Sequence, residues 1–318
     1  MNVGIIGCGA MGKRRAENLA GCKLLACADK KMYENEGMQA YHNFPCENHY
    51  VDYRLLLAEK GVEVVIVSTP TDSLAEITIA ALRAGKHVLV EKPAASSTAE
   101  IDAMIESEKE SGKHVRVGFN LRYHRAIRKA FEIQSQIGTL LFIRAHYGHG
   151  GRELYGEDWR MKDRRGETID QGVHLIDLSL SFIPNMRLFH GVTESYYWSD
   201  QADDNCFMIL KSEREQIAFL HASCTEWRNS FNFEVVGSGG KIVVDGLGGS
   251  YGTERITLYK KIREGEPPEI TTWEYPMADD SLEQEMKAFI EDIEKDRTPD
   301  SGLKEARKTL EIVEQIYE

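Results

Sequence analysis

Near its start the chain reads Val3-Gly4-Ile5-Ile6-Gly7-Cys8-Gly9-Ala10-Met11-Gly12, a short apolar run that breaks into a G-x-G-x-x-G turn and then into a helical stretch. Strand, glycine turn and helix in that order commit the first part of the chain to a β-α-β unit that binds a dinucleotide. The first glycine closes the turn, the second lets backbone approach a pyrophosphate, and the third lets the helix pack against the strand. The helix N-terminus then presents N–H groups and partial positive charge to the phosphates. A second strand ends in Ala26-Cys27-Ala28-Asp29, twenty residues past Gly9. A carboxylate there accepts hydrogen bonds from the adenosine ribose and repels a 2′-phosphate, so the expected cofactor is NAD. NADP is the alternative, because Lys30 and Lys31 follow at once. The expected cofactor contacts at this end are Gly7, Gly9, Ala10, Met11, Gly12, Asp29 and Lys30. The competing reading is a set of structural glycines with Asp29 capping a strand end.

The pattern continues to about residue 118. Apolar runs at Val3–Ile6, Lys23–Ala28, Val62–Val67, His87–Val90 and His114–Val117 alternate with helical spacing at Lys13–Ala20, Tyr53–Lys60, Leu74–Ala84 and Thr98–Ser111. Gly21, Gly61, Gly85 and Gly112 follow those helices, where a left-handed residue ends a helix. Such alternation predicts a parallel sheet with helices on both faces. After Asn120 the texture changes. A helix over Tyr123–Gln136 leads to a β-rich stretch Leu140–Tyr147, then a charged, glycine-rich loop, then a helix over Asp170–Phe182. Strand signals recur from Leu188 to Tyr275 with turns such as Ser238-Gly239-Gly240, which argues for hairpins in one large antiparallel sheet. Ser281–Glu294 and Leu303–Tyr317 read as closing amphipathic helices. The expected fold class is α/β, with a Rossmann domain over 1–119 and a second α/β domain, built on an open and mainly antiparallel sheet, over 120–318.

With 318 residues, two cores are expected. The net charge of −12 repels a phosphate backbone, so no nucleic-acid partner is expected. Neither a signal peptide nor an apolar run of spanning length is found, so the expectation is a cytoplasmic protein without membrane contact. The six cysteines show no Cys-x-x-Cys pair or framework spacing, and they read as reduced, mostly buried thiols. His146 and His149 lack a third ligand at zinc-like spacing, so no metal is expected.

His87-Val88-Leu89-Val90 is followed by Glu91-Lys92-Pro93. Ligands of an open parallel sheet sit beyond the carboxyl ends of its strands, which directs Lys92 toward the cofactor. Pro93 restricts the residue before it to extended geometry. An ammonium beside a reacting C–OH polarises the oxygen as hydride leaves. Taken alone, such a lysine is more often an ordinary surface residue. Glu91-Lys92-Pro93 with the glycine turn resembles the signature of the glucose–fructose oxidoreductase / inositol dehydrogenase (Gfo/Idh/MocA) family. Gly118-Phe119-Asn120-Leu121-Arg122-Tyr123 is similar to that family's domain junction, and the likeness runs on to Gly302-Leu303-Lys304-Glu305-Ala306. The resemblance implies a Rossmann domain joined to an α/β domain whose open sheet mediates a homodimer or homotetramer. It adds Ser68, Thr69, Pro70, Glu91, Lys92 and Asn120 to the cofactor contacts.

Asp170, His174 and Asp177 stand at i, i+4 and i+7 and share a helical face. A histidine carries protons near neutral pH, and a carboxylate within reach orients it. On the residues alone, a core histidine satisfied by a neighbouring acid stays open. The resemblance places Asp170 and His174 on the family's catalytic Asp-x-x-x-His. It implies His174 as general acid/base, Lys92 polarising the reacting oxygen, and Asp170 binding substrate and orienting His174, with Asp177 a structural partner. The chain departs from the family in Arg164-Arg165-Gly166-Glu167, where relatives carry glycines, and in Leu74, where relatives often carry histidine.

The loop from Gly148 to Arg160 mixes aromatics, which stack on a sugar face, with arginines suited to phosphate or carboxylate. The expected substrate contacts are Arg122, Tyr147, Arg152, Trp159, Arg160, Asp170 and His174. The loop is similar to those of relatives acting on nucleotide-linked sugars, which implies oxidation of a secondary hydroxyl of such a sugar, for example a UDP-amino sugar at C3. A polyol or inositol dehydrogenase, an NADPH-dependent ketosugar or imine reductase, and a non-catalytic sensor of NAD or sugar are the alternatives.

Overall fold

The computed structural model describes residues 1–31, 44, 46–151, 164–198 and 201–318. It divides into two compact units, one of Met1–Asn120 with Leu282–Glu311 and one of Leu121–Ser281 with Ile312–Glu318. The sequence reading divides the chain at 119/120 and leaves 282–311 with the second domain, whereas the first unit includes them. No described helix is long and apolar enough to cross a membrane.

The first unit is a six-stranded parallel sheet in the order β3-β2-β1-β4-β5-β6. Its strands are β1 (Asn2–Ile6), β2 (Lys23–Ala28), β3 (Asn48–Tyr50), β4 (Val64–Val67), β5 (His87–Val90) and β6 (Val115–Val117). This is the doubly wound order, in which the chain reverses direction between β1 and β4 and leaves a crevice at their carboxyl ends. Strands covered on both faces need apolar residues throughout, and Val64, Val65, Ile66 and Val67 are all fully buried. The helix Ser281–Glu294 adds Met286 and Phe289 to the same core.

Two buried arginines tie these late residues into the unit. Arg15 is 1% exposed and donates from Nε to Glu91 at 2.7 Å and from Nη1 to Glu285 at 2.6 Å. Arg116 reaches Asp292 at 2.5 Å and Asp300 at 3.0 Å. Gly118 is shaped by the first of these pairs: a Cβ there would stand 2.8 Å from Arg15 Nη2 and 2.9 Å from a Glu91 oxygen.

The second unit is built on an eight-stranded sheet in the order β14-β13-β12-β11-β7-β10-β9-β8. Its strands are β7 (Leu140–Gly148), β8 (Arg187–Glu194), β9 (Asn205–Lys211), β10 (Ile217–Ser223), β11 (Ser230–Gly237), β12 (Gly240–Asp245), β13 (Glu254–Lys260) and β14 (Glu269–Tyr275). Hairpins join the later strands, as in the turn Ser238-Gly239 between β11 and β12. The sheet is not purely antiparallel, because β7 enters between β11 and β10 and runs parallel to β10. The helix Val173–Phe182 is buried on nearly every side, with Val173, Leu175, Ile176 and Leu178 at zero exposure.

Candidate active site

In the first unit the glycine turn has the shape that its sequence requires. Gly7 adopts φ +93°, and a Cβ there would meet the Ser68 carbonyl at 2.6 Å. A Cβ at Gly12 would lie 2.0 Å from the Gly7 carbonyl oxygen, so only glycine lets helix Ala10–Ala16 start this close to the turn. A Cβ at Gly9 would meet no protein atom within 4 Å. The clearance a pyrophosphate needs is therefore at the middle glycine, and these residues fit a dinucleotide. The Ser68 hydroxyl donates to the Gly7 carbonyl at 2.8 Å and fixes the turn against the end of β4. Asp29 accepts from the Cys8 N–H at 2.8 Å and the Lys31 N–H at 2.9 Å. It thus braces the turn. Lys30 is exposed beside it.

Lys92 is half-buried after β5, joined to Pro93 by a cis peptide. Its neighbour Glu91 does not look outward. The Glu91 carboxylate is held by the buried Arg15 guanidinium within the unit.

In the second unit the helix carrying Asp170 and His174 is entered through a π-helical turn, Thr168–Gly172. Such widened turns are rare and concentrate at functional sites. Asp170 therefore sits on the π turn rather than on the regular α-helical spacing that the sequence reading assumes. The entrance is fixed by Asp203, whose carboxylate accepts from the Thr168 N–H at 3.0 Å and the Thr168 hydroxyl at 2.8 Å, with Tyr317 donating to the same group.

Around His174 the unit gathers an unusual set of polar groups. The Tyr147 ring meets the His174 ring edge-on, with centroids 6.2 Å apart, and the Tyr251 ring at 5.5 Å. Gln171 Nε2 donates to the Tyr251 hydroxyl at 3.4 Å. Ligand atoms of His149, Glu167 and Asp170 lie within 4.8 Å of one another. Glu167 has no exposed surface, and its carboxylate lies 3.5 Å from His149 Nε2. Burial pushes the Glu167 carboxyl up to about 7, against the lowering effect of His149. His149 Nδ1 accepts the Gly151 N–H at 2.9 Å, so a neutral ring carries its proton on Nε2, toward Glu167. The two groups stand at ion-pair distance inside the unit. Burial likewise raises the Tyr251 phenol to about 12 and the Tyr147 phenol well above its ordinary value.

Residues 1–119 match the model of the GFO/IDH/MocA oxidoreductase family, NAD-binding Rossmann fold, and residues 124–243 match that family's C-terminal domain. The chain belongs to the Gfo/Idh/MocA family. Its similarity to inositol 2-dehydrogenase of Salmonella typhimurium (strain LT2) is 32% identity over 156 residues, 46% of each chain. To glucose-6-phosphate 3-dehydrogenase of Bacillus subtilis (strain 168) it is 30% over 187 residues, 55% of this chain and 52% of that one. The matched stretches thus span about half the length of these relatives. Levoglucosan dehydrogenase in complex with NADH shares the fold with a TM-score of 0.85 at 20% identity, covering 100% of this chain and 97% of that one.

Arg122, an expected substrate contact of this Gfo/Idh/MocA chain, forms a two-pronged pair with Asp177, Nε to Oδ2 at 2.7 Å and Nη2 to Oδ1 at 2.6 Å. Asp177 is 2% exposed, and the guanidinium fork neutralises it. Arg152, Trp159 and Arg160 lie outside the described residues. Glu167, Gln171 and Tyr251 are the groups the sequence reading missed as parts of the site. Glu167 was noted only as a departure from the family, and that departure was the available signal.

Proposed function

We propose that the protein is an NAD-dependent dehydrogenase of a secondary hydroxyl on a sugar or polyol. The observation that carries this reading is the group around His174: a buried imidazole beside Tyr147, with the carboxylates of Asp170 and Glu167 and the ring of His149 clustered on the same unit. Oxidising an alcohol breaks an O–H and a C–H bond, and bound NAD supplies the hydride acceptor. His174 takes the hydroxyl proton and returns it in the reverse direction. Asp170 accepts from substrate hydroxyls and orients the imidazole. Lys92 polarises the reacting oxygen, a role that rests on its place in Glu91-Lys92-Pro93 and on the family's signature. Asn120, Thr69 and Pro70 keep their assignment to the cofactor on the same ground.

Phenols, a carboxamide and carboxylates suit a neutral, hydroxyl-rich ring better than a diphosphate. The inositol and glucose-phosphate dehydrogenases among the relatives support the sugar or polyol class. The narrower reading, a nucleotide-linked sugar such as a UDP-amino sugar oxidised at C3, rests on Arg122, which is paired with Asp177, and on Arg152 and Arg160, outside the described residues. A panel of inositols, aldoses, sugar phosphates and nucleotide sugars, each incubated with NAD or NADP while nicotinamide absorbance is followed, tests the reading. Reduction of NAD by a polyol or free sugar is expected. Turnover confined to nucleotide sugars would restore the narrower substrate, and oxidation of none would remove the dehydrogenase assignment.

We also infer a homo-oligomer formed through the outer face of the eight-stranded sheet, where Val192, Ile217 and Phe219 are 40%, 42% and 47% exposed. A monomer mass by light scattering would overturn this.

A further inference from the structure

Sequence spacing hides a cluster that the first unit's sheet assembles. The parallel pairing of β2 with β3 sets Cys27 opposite His49, and Cys46 lies just before β3. Cys46 Sγ stands 3.1 Å from Cys27 Sγ and 3.5 Å from His49 Nε2. All three donor atoms fall within 4.8 Å of one another. Cys27 is fully buried, whereas Cys46 and His49 are half-buried, so the cluster opens to solvent on one side only. The hydrogen bond to Cys27, and then burial, hold the Cys46 thiol above the ordinary thiol range. The Cys8 thiol of the glycine turn bonds to the Ala28 carbonyl at 3.7 Å and interacts with Cys27, which puts the cluster one side chain from the pyrophosphate turn.

We propose that Cys27, Cys46 and His49 form a binding site for a thiophilic divalent cation of the zinc type. Two thiolates and an imidazole are three of the four donors of a tetrahedral zinc centre. Bonds of ~2.3 Å to sulfur and ~2.0 Å to nitrogen set tetrahedral edges of about 3.5 Å between S and N and about 3.8 Å between two sulfurs. The Cys46–His49 separation already has the first value, and the two sulfurs need only to part slightly. Binding releases the two thiol protons to solvent and moves no electrons. The fourth position faces the half-exposed side and takes water. The sequence reading expected no metal because it found no Cys-x-x-Cys pair and no third ligand for His146 and His149 at zinc-like spacing. Among the described residues two further clusters contain histidines, and protein partners occupy those rings. His146 Nε2 is bonded to Ser230 at 2.8 Å, His221 Nε2 to Asn205 at 3.0 Å, and His149 is committed as described above.

The test uses the full-length, chelator-treated, reduced protein, titrated with Zn²⁺ in competition with a chromophoric chelator and separately with Co²⁺. One equivalent of Zn²⁺ is expected, and Co²⁺ is expected to give the intense thiolate-to-cobalt absorption of a tetrahedral sulfur site. Cys46→Ser and His49→Ala should each weaken Zn²⁺ binding by ~100-fold, at the scale of a lost ligand contact. Cys206→Ser, on β9 in the other unit, should change nothing. Absence of the thiolate–cobalt band in the wild type overturns the proposal whether or not the variants fold. So does zinc uptake that both variants retain, or isolation of the protein with Cys27 and Cys46 joined as a disulfide that takes up no metal.

Discussion

At the scale of single residues, the account turns on two carboxylates that do different work. Asp29 accepts two backbone N–H groups and is proposed to read the adenosine ribose. Asp29→Ala should therefore weaken NAD by ~10–100-fold, the usual worth of charged hydrogen bonds, and NADP by clearly less. Calorimetric titration of both cofactors measures this, and equal losses would show that the residue braces the turn without reading the ribose. Glu167 is buried and titrates near 7 instead of 4.5. Because the folded protein binds this proton more tightly than the unfolded chain, stability falls as pH rises from about 4.5 through about 7. The full loss is about 3 kcal/mol. Glu167→Gln removes this dependence, so melting temperatures of variant and wild type should diverge in the variant's favour between pH 5 and pH 8. Parallel profiles would mean that the carboxylate is already ionised or solvated in the fold. Neither behaviour was fully legible in the sequence. Asp29 announced itself by its distance from the glycine turn, whereas the surroundings of Glu167 include His149 and Asp203, which the fold brings to it from distant parts of the chain.

At the scale of elements, the glycine turn separates two kinds of constraint. Gly12 is required by packing, since a Cβ would collide with the Gly7 carbonyl, and Gly9 by the ligand, since nothing in the protein occupies its Cβ position. Gly12→Ala is thus expected to lower stability by about 1–3 kcal/mol and to abolish NAD binding. Gly9→Ala, at φ −68°, should melt within a degree or two of wild type, as a surface change costing at most ~0.5 kcal/mol, yet also lose NAD. Thermal melts with and without NAD distinguish the two, and a strongly destabilised Gly9→Ala would contradict this division. The same turn shows why element ends were harder to read than elements. The first helix spans Ala10–Ala16, earlier than the spacing suggested, because Gly12 lies inside it for packing although glycine is a poor helix former. β3 was missed because Asn48-His49-Tyr50 is a short, polar edge strand, and Cys46-x-x-His49 passed unnoticed because its third partner comes from β2. The π turn at Thr168–Gly172 leaves no mark in periodicity at all.

At the scale of the whole molecule, both family domains were legible from alternating strands and helices, and from turn residues between the later strands. The membership of 282–311 in the first unit was not, because amphipathic spacing tells which face a helix buries but not against what. Arg15 is central to that membership: a guanidinium in the first helix that neutralises Glu91 and Glu285 together. Arg15→Met should cost about 3–5 kcal/mol, since it strands two buried carboxylates without their counter-charge. Denaturant unfolding measures this, and a loss below ~1 kcal/mol would indicate that the acids are protonated or hydrated.

The central claim is that His174 moves the substrate proton. Its most direct test is steady-state oxidation of the substrate found in the panel, with NAD, by wild type and His174→Ala, alongside calorimetric NAD binding. The account predicts a kcat at least ~100-fold lower with NAD affinity unchanged within about twofold. A variant that turns over at the wild-type rate would contradict it.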